Sequence, residues 1–407
     1  MVEFKVYMKQ RGVILLYYEQ QGYGGVDTHM AQLINNWPEL SDRFIVISNP
    51  ENEGLKILKS QLRNPKVEIS EINGVFNKAA KNNNLKISRI FKIVQTQIKF
   101  IVKFSQILKE QKPNILICNN GGYPGGLTCF LAALIGRMTR SINRATFLLI
   151  HHAPSPKKNI LYYYADFLAL MSRWLKIPVI TVSRASKVSL EAYTPLKNLH
   201  VIYNGLEFST EKFKGRDLKQ EFGIATNRVL VGMIGPIDSH KGHENILEAF
   251  SQSCFLRENA HFVIVGSGSD QLVSRLKNKT RDYGLLNIVT FTGYLPGDSQ
   301  SIIAGFDILA MPTIDFEGFG YSMAEGMAAG VPVVASRVGA IPEVVEDRIS
   351  GILVDPGDIN DWSKQLEEFV RNASWRETIG ASGKARIEKE FSANKMSQLY
   401  FDHITRH

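Results

Sequence analysis

Short, almost uninterrupted apolar runs alternate with segments of helical period along the whole chain. In the first half the runs are residues 12–18 (GVILLYY), 44–48, 114–118, 146–150, 178–182 and 200–203. In the second half they are 228–234, 261–265, 288–291, 307–311 and 331–335. Runs of this length with no polar alternation fit strands buried on both faces, as in a parallel sheet. Strand, glycine-rich turn and helix follow one another in that order, which predicts an α/β protein of two doubly wound sheets with right-handed crossovers. The expected division is residues 1–203 and 204–389, with Asn204-Gly205 as a candidate hinge. A last helix near 393–404, within a tail of about 390–407, holds Met396, Leu399, Tyr400 and Phe401 and is expected to pack back on the first domain.

Residues 87–110 carry a strong helical pattern. Ile90, Val94, Ile98, Ile101 and Leu108 share one face and Lys92, Lys99 and Lys103 the opposite one, while Phe100, Phe104 and Ile107 widen the apolar arc. The plain reading is a core helix with a solvated lysine face; the other is a helix meeting a membrane surface. Charge bears on the choice. The chain carries +9, and between Lys56 and Lys112 thirteen Lys and Arg stand against Glu68, Glu71 and Glu110. This is a local basic face, a candidate contact with an anionic membrane, on a chain otherwise near neutrality. No nucleic-acid module accompanies it. The apolar runs fall short of the ~18 residues that cross a bilayer, and no secretory leader is read at the start. Three cysteines without paired spacing fit a reducing cytosol.

Candidate chemistry gathers where strands end. Gly24 and Gly25 follow the first strand without the GxGxxG spacing of a dinucleotide site, so nicotinamide is not expected. NNGGYPGG follows the third run, and His151 and His152 follow the fourth, where one of the two is expected to face a substrate. In the second half Lys241 precedes Gly242 in the loop 235–242. The stretch 311–335 places Glu317, Gly318, Phe319 and Gly320 before a helix bearing Tyr321 and Glu325, with a stop at Gly330. Ser322 and Glu325 also have capping-box spacing, which would make Glu325 a structural residue. Glycine loops on both lips of a cleft, a lysine and helix-start amides suit a phosphorylated ligand. Such groups stabilise a departing diphosphate. No acidic motif suited to a metal is read, so neither metal nor other cofactor is expected.

EGFGYSMAE, with Glu317 and Glu325 in E-x7-E spacing, resembles the signature of retaining glycosyltransferases of the GT-B fold, carbohydrate-active family 4. GGVDTH at Gly24, VIYNG at 201–205, the G-x5-K-G of 235–242, VGSGS, FTGYL and the stretch 337–358 resemble further family segments, covering most of the second half and only the loops of the first. The resemblance implies two Rossmann-like domains facing across a cleft. It assigns Glu325 to the ribose, Glu317 to the donor sugar, Lys241 to the diphosphate, and the backbone of Gly24–Gly25 and of 318–321 to sugar and phosphates. One of His151 and His152 would sit near the reacting centre. One departure stands out: relatives place arginine after the first glycine of the phosphate loop, and here that residue is Pro236. His240 and His243 are the nearby basic candidates to replace it.

The expected function is a metal-independent, retaining hexosyltransferase. It would use a UDP- or GDP-sugar as donor and a saccharide, lipid-linked or other glycoconjugate acceptor, with surface polysaccharide synthesis as its expected setting. Its expected place is the cytoplasm, or the inner face of the cytoplasmic membrane. The alternatives are a sugar-nucleotide-binding protein with weak activity and a sugar-nucleotide epimerase or phosphorylase.

Overall fold

The computed structural model describes residues 12–19, 24–72, 87–139, 145–151, 160–207 and 215–405, with side chains left out at 87–94 and 160–161. The chain forms two compact units, Met1–Gly205 with Ala393–His407, and Leu206–Ser392.

The first unit is built on seven parallel strands: β1 (Val13–Tyr18), β2 (Arg43–Ser48), β3 (Val67–Glu71), β4 (Ile115–Asn120), β5 (Ala145–Ile150), β6 (Val179–Thr181) and β7 (Leu199–Val201). Their order across the sheet is β3-β2-β1-β4-β5-β6-β7. The order reverses between β1 and β4, where Leu16 pairs with Ile117. Alternate residues of β1 serve two cores, which explains its unbroken apolar run. Leu15 and Tyr17 pack with the helices on one face, and Ile14, Leu16 and Tyr18 with those on the other. The helix Ala393–Thr405 belongs to this unit, with Met396, Tyr400 and Ile404 in the second of these cores. Leu399, which the pattern groups with them, is 45% exposed.

β3 was not expected. Its sequence VEISE leaves it half polar, which an edge strand tolerates because one side faces solvent. The helix Ile87–Gln111 also departs from expectation. Among its described side chains Phe100, Phe104 and Leu108 are the buried ones, with Ile107 packed against them, while Ile98 and Ile101 lie outward beside Val102. The aromatic rings decide the phase. Phe100 and Phe104 stack on each other at 5.4 Å, and both meet the ring of Tyr17. A helix with more apolar arc than one contact needs turns its largest rings inward. The side chains of Ile90, Lys92 and Val94 lie outside the described residues.

The second unit carries six parallel strands: β8 (Val229–Ile234), β9 (Ala260–Val265), β10 (Val289–Gly293), β11 (Ile308–Met311), β12 (Val333–Ser336) and β13 (Ile352–Val354). Their order is β10-β9-β8-β11-β12-β13, reversing between β8 and β11. β13, a three-residue strand on the edge, was not read from the sequence. Val231, Met233, Phe262 and Ile264 pack with Phe250, Trp362, Leu366 and Phe369 on one face of this sheet. Open sheets of this winding bind ligands outside the carboxyl ends of their strands, at the point where the order reverses. The loops after β1 and β4, and after β8 and β11, therefore stand at the ligand-binding positions of such sheets.

Phe104→Ala should destabilise the first unit by about 3–5 kcal/mol, whereas Ile98→Ser should stay within about 0.5 kcal/mol. Denaturant unfolding of the two variants checks this; equal losses would restore the phase read from the sequence.

Candidate functional site

In the second unit the loop after β8 and the loop after β11 meet backbone to backbone. Gly242 has φ 73°, and a Cβ there would lie 1.9 Å from the carbonyl oxygen of Pro312. Only glycine meets both conditions. Beside it the amide of Ile314 donates to the carbonyl of His240 at 2.8 Å. The loop after β11 is held on its far side too. Ala340 N–H donates to the Glu317 carbonyl at 2.8 Å, and Gly339, at φ 52°, leaves no room for a Cβ against the Glu317 backbone. So clamped, Glu317 meets Lys241 across the two loops, with Nζ 2.7 Å from Oε2. Both side chains are largely buried. The two residues that the resemblance assigns to sugar and diphosphate are thus each other's partner.

The loop after β8 is also zipped to the loop after β9. Gly235 N–H donates to Val265 and Ile237 N–H to Ser267, at 3.0 and 2.9 Å. Pro236 falls between these two donors, so its missing N–H costs no ladder bond. It is exposed and adds no charge. The nearby histidines do not replace one. His240 Nδ1 lies 2.9 Å from Asp238 Oδ1, and that contact holds the Asp238 carboxyl below its usual range. His243 is buried at the start of its helix. Desolvation, with Lys241 adding repulsion, pushes its pKa down to about 4, so it is neutral at pH 7.

Gly320 caps the helix Tyr321–Ala328 from the left-handed region, at φ 86°. Ser322 and Glu325 therefore stand at the second and fifth helical positions, and the capping-box reading is excluded. Glu325 thus stands just past the first turn of the helix. The helix ends as the pattern requires, with Gly330 at φ 77° donating to Met327 and Val331 donating to Gly326. Gly318 and Phe319 are buried, and the Phe319 ring packs against Tyr321 and Phe391. The Glu325 carboxyl is pushed up to about 7, chiefly by desolvation. A hydrogen bond from Ser299 opposes the rise and the charge of Asp298 adds to it. Asp298 and Ser299 had no signal in the sequence beyond a polar turn after FTGYL.

In the first unit Gly24 caps the helix Gly25–Asn35, and its N–H donates to Asp27 at 2.9 Å. Asp27 is fully buried, accepts from Tyr18 Oη at 3.1 Å, and packs so tightly on Gly54 that a Cβ there would meet its carboxylate at 2.8 Å. Desolvation raises the Asp27 pKa. His151 is buried at the end of β5, with Nε2 2.8 Å from Asn119 Oδ1 and its ring 4.9 Å from that of His29, edge to face. His29 donates through Nδ1 to Asn204 at 2.9 Å, and burial pushes it down to about 4, hence neutral. Sequence reasoning singled out neither His29 nor Asn119 for a role, although both stand in segments it quoted. His152 lies outside the described residues.

Two such doubly wound units in one chain define the GT-B fold. The solved structure of Anabaena Alr3699/HepE in complex with UDP and glucose superposes with a TM-score of 0.76 over 98% of this chain and 100% of that one, at 19% identity. Residues 215–386 match the family described as Glycosyl transferases group 1. An uncharacterized glycosyltransferase of Methanocaldococcus jannaschii is 27% identical over 239 residues, which is 56% of this chain and 60% of the relative, less than two thirds of its length. The capsular polysaccharide biosynthesis glycosyltransferase CapM of Staphylococcus aureus is 25% identical over 313 residues, 73% of this chain and 78% of the relative. The structural likeness shows the GT-B fold, and residues 215–386 are similar to the glycosyl transferases of group 1.

Glu325 yields a stability prediction. An unfolded carboxyl ionises near 4.5 and the folded one near 7. Between those values the unfolded chain has released the proton and the folded chain has not, so stability falls as pH rises through the window. Glu325→Gln should remove this slope and gain on the order of 2 kcal/mol at pH 8. Melting curves at pH 5 and pH 8 check it, and a gap that narrows with rising pH would contradict the assignment.

Proposed function

We propose that this protein is a retaining, metal-independent glycosyltransferase that moves a hexose-type sugar from a UDP- or GDP-sugar to a saccharide, lipid-linked or other glycoconjugate acceptor in surface polysaccharide synthesis. The observation that carries the reading is the Lys241–Glu317 pair, built by two loops at the reversal point of the second sheet. A diphosphate leaving a sugar gains negative charge as the bond breaks. The Lys241 ammonium, fixed by Glu317, is a donor that needs no reorganisation to meet that charge. Glu317 in turn accepts from sugar hydroxyls, and Glu325, in its ionised form, accepts from the ribose. The amides of Gly320 and Tyr321, at the start of a helix, add fixed positive dipole for an anion. His151, whose Nε2–H is held by Asn119 Oδ1, is the histidine we assign to the neighbourhood of the donor sugar. Retention follows from attack and departure on one face of the sugar, with no enzyme nucleophile assigned. Among the described residues no helix is long and apolar enough to cross a membrane. The basic segment from Lys56 to Lys112 is proposed to hold the protein at the inner face of the cytoplasmic membrane.

A second reading, a sugar-nucleotide-binding protein of the same fold with weak turnover, has one specific observation in its favour. Pro236 removes a cation from the loop, and neither His240 nor His243 restores it.

Nucleotide release, followed across a panel of UDP- and GDP-sugars with saccharide and lipid-linked acceptors, tests the first reading. Lys241→Ala should lower kcat by about 10²–10³ with little change in nucleotide affinity. Glu325→Ala should weaken nucleotide binding about tenfold. Binding to wild type should strengthen as pH rises through about 7, because ribose hydroxyls need the ionised carboxylate of Glu325. Binding without release for every donor, together with an inert Lys241→Ala, would overturn it. A gain in turnover from Pro236→Arg would favour the second reading.

A further inference from the structure

The helix Ile160–Trp174 carries Tyr163, Phe167, Leu170 and Trp174 at spacings of four, three and four residues. A period of 3.6 places these on one stripe. All four expose half or more of their surface, Trp174 as much as 74%. The opposite side of the helix supplies Tyr162, Ala165, Leu168 and Ala169 to the core, so packing is satisfied without the stripe. Tyr164, one residue from it, donates to Gln97 on the neighbouring helix Ile87–Gln111 at 3.2 Å. Gln97 is followed by that helix's outward aliphatics, Ile98, Ile101 and Val102. The two helices, joined by this bond and each packed on the helix Leu127–Met138, both turn apolar side chains outward on the same side of the sheet.

The border of this face is basic. Lys99 and Lys103 are exposed on one helix, and Arg173 and Lys176 at the end of the other. Asp166, the acid on the second helix, is engaged by the hydroxyl of Tyr123. A two-fold contact with a second copy would bring these like charges together. An anionic lipid surface meets both demands at once, since its headgroups pair with the cations while its acyl boundary takes the apolar stripe. Trp and Tyr, with apolar bodies and one polar atom each, suit that boundary.

We propose that this face docks on an anionic lipid surface, with Phe167, Leu170 and Trp174 entering the interfacial layer and Lys99, Lys103, Arg173 and Lys176 at the phosphates. This deepens the membrane contact proposed above by adding insertion to charge, and it does not depend on the transferase chemistry.

The test uses the full chain with phosphatidylcholine vesicles, with and without phosphatidylglycerol, and no nucleotide sugar. The protein should float with the anionic vesicles and lose only part of its binding at high salt, because insertion is not screened. Phe167→Ser combined with Leu170→Ser should lower the partition about tenfold or more at an unchanged melting temperature. Trp174 emission, isolated as the difference from Trp174→Phe, should shift to the blue and be quenched by brominated acyl chains. Absence of flotation, a stripe variant that floats like wild type, or an unshifted Trp174 each overturns the proposal. So does a dimer in light scattering that the stripe variant abolishes while no vesicle binding is seen. Nucleotide release with a water-soluble acceptor, measured on the same variants, should be unchanged, so failure here leaves the transferase reading standing.

Discussion

The second unit depends on how closely two loops can approach. The chain after β8 comes within touching distance of the chain after β11 only because Gly242 has no Cβ to place against the Pro312 carbonyl. The same left-handed glycine starts the helix His243–Gln252, so one residue sets both the contact and the direction of the next element. Lys241 stands immediately before it and Glu317 five residues beyond Pro312, and their meeting follows from the backbone contact. Gly339 repeats the device on the other side of Glu317. The Lys241–Glu317 pair is thus positioned by main chain rather than by side-chain packing, which limits its freedom to adjust.

A pair of this kind is not chiefly a stabilising contact. Taking a lysine and a glutamate largely out of water costs solvation that their attraction only partly repays. Removing either leaves the other charge poorly solvated. What the pair does is hold an ammonium at a fixed place with its charge nearly cancelled at rest. In the proposed reading an arriving diphosphate would disturb that balance, and the carboxylate, freed from part of its work, would accept from hydroxyls of the same ligand. Lys241 and Glu317 would then act as one group with two faces, which agrees with their being supplied by two different loops.

Much of this was legible in the sequence, and the parts that were not share a cause. Strands buried on both faces announced themselves, and glycines at their ends marked the loops, because a close approach or a left-handed φ leaves few other choices. The edge strands β3 and β13 were missed since an edge tolerates polar or very short sequences. The helix Ile87–Gln111 was given the wrong inner face because its apolar residues span most of its circumference, and the ring of Tyr17, far off in sequence, selects among them. The helix Ile160–Trp174, and with it the apolar stripe, was not read from the sequence, its outward residues being as apolar as its buried ones. His29, His151, Asn119 and Asn204 come from four separate segments, so no spacing joins them.

Burial also settles a question that residue type leaves open. Read as letters, the loop 235–242 and the residue after it offer one lysine and two histidines as positive groups. In the folded chain His243 is desolvated and repelled by Lys241 itself, and His240 is committed to Asp238. Among the described residues of that loop, Lys241 is the cation left to meet a ligand. Glu325 shows the opposite sign of the same effect: desolvation holds its proton up to about 7, so its charge changes across neutrality. Positive charge at this site is therefore scarce and fixed while negative charge is adjustable by pH. A ligand that brings its own anion and its own hydroxyls is the kind this electrostatic arrangement selects.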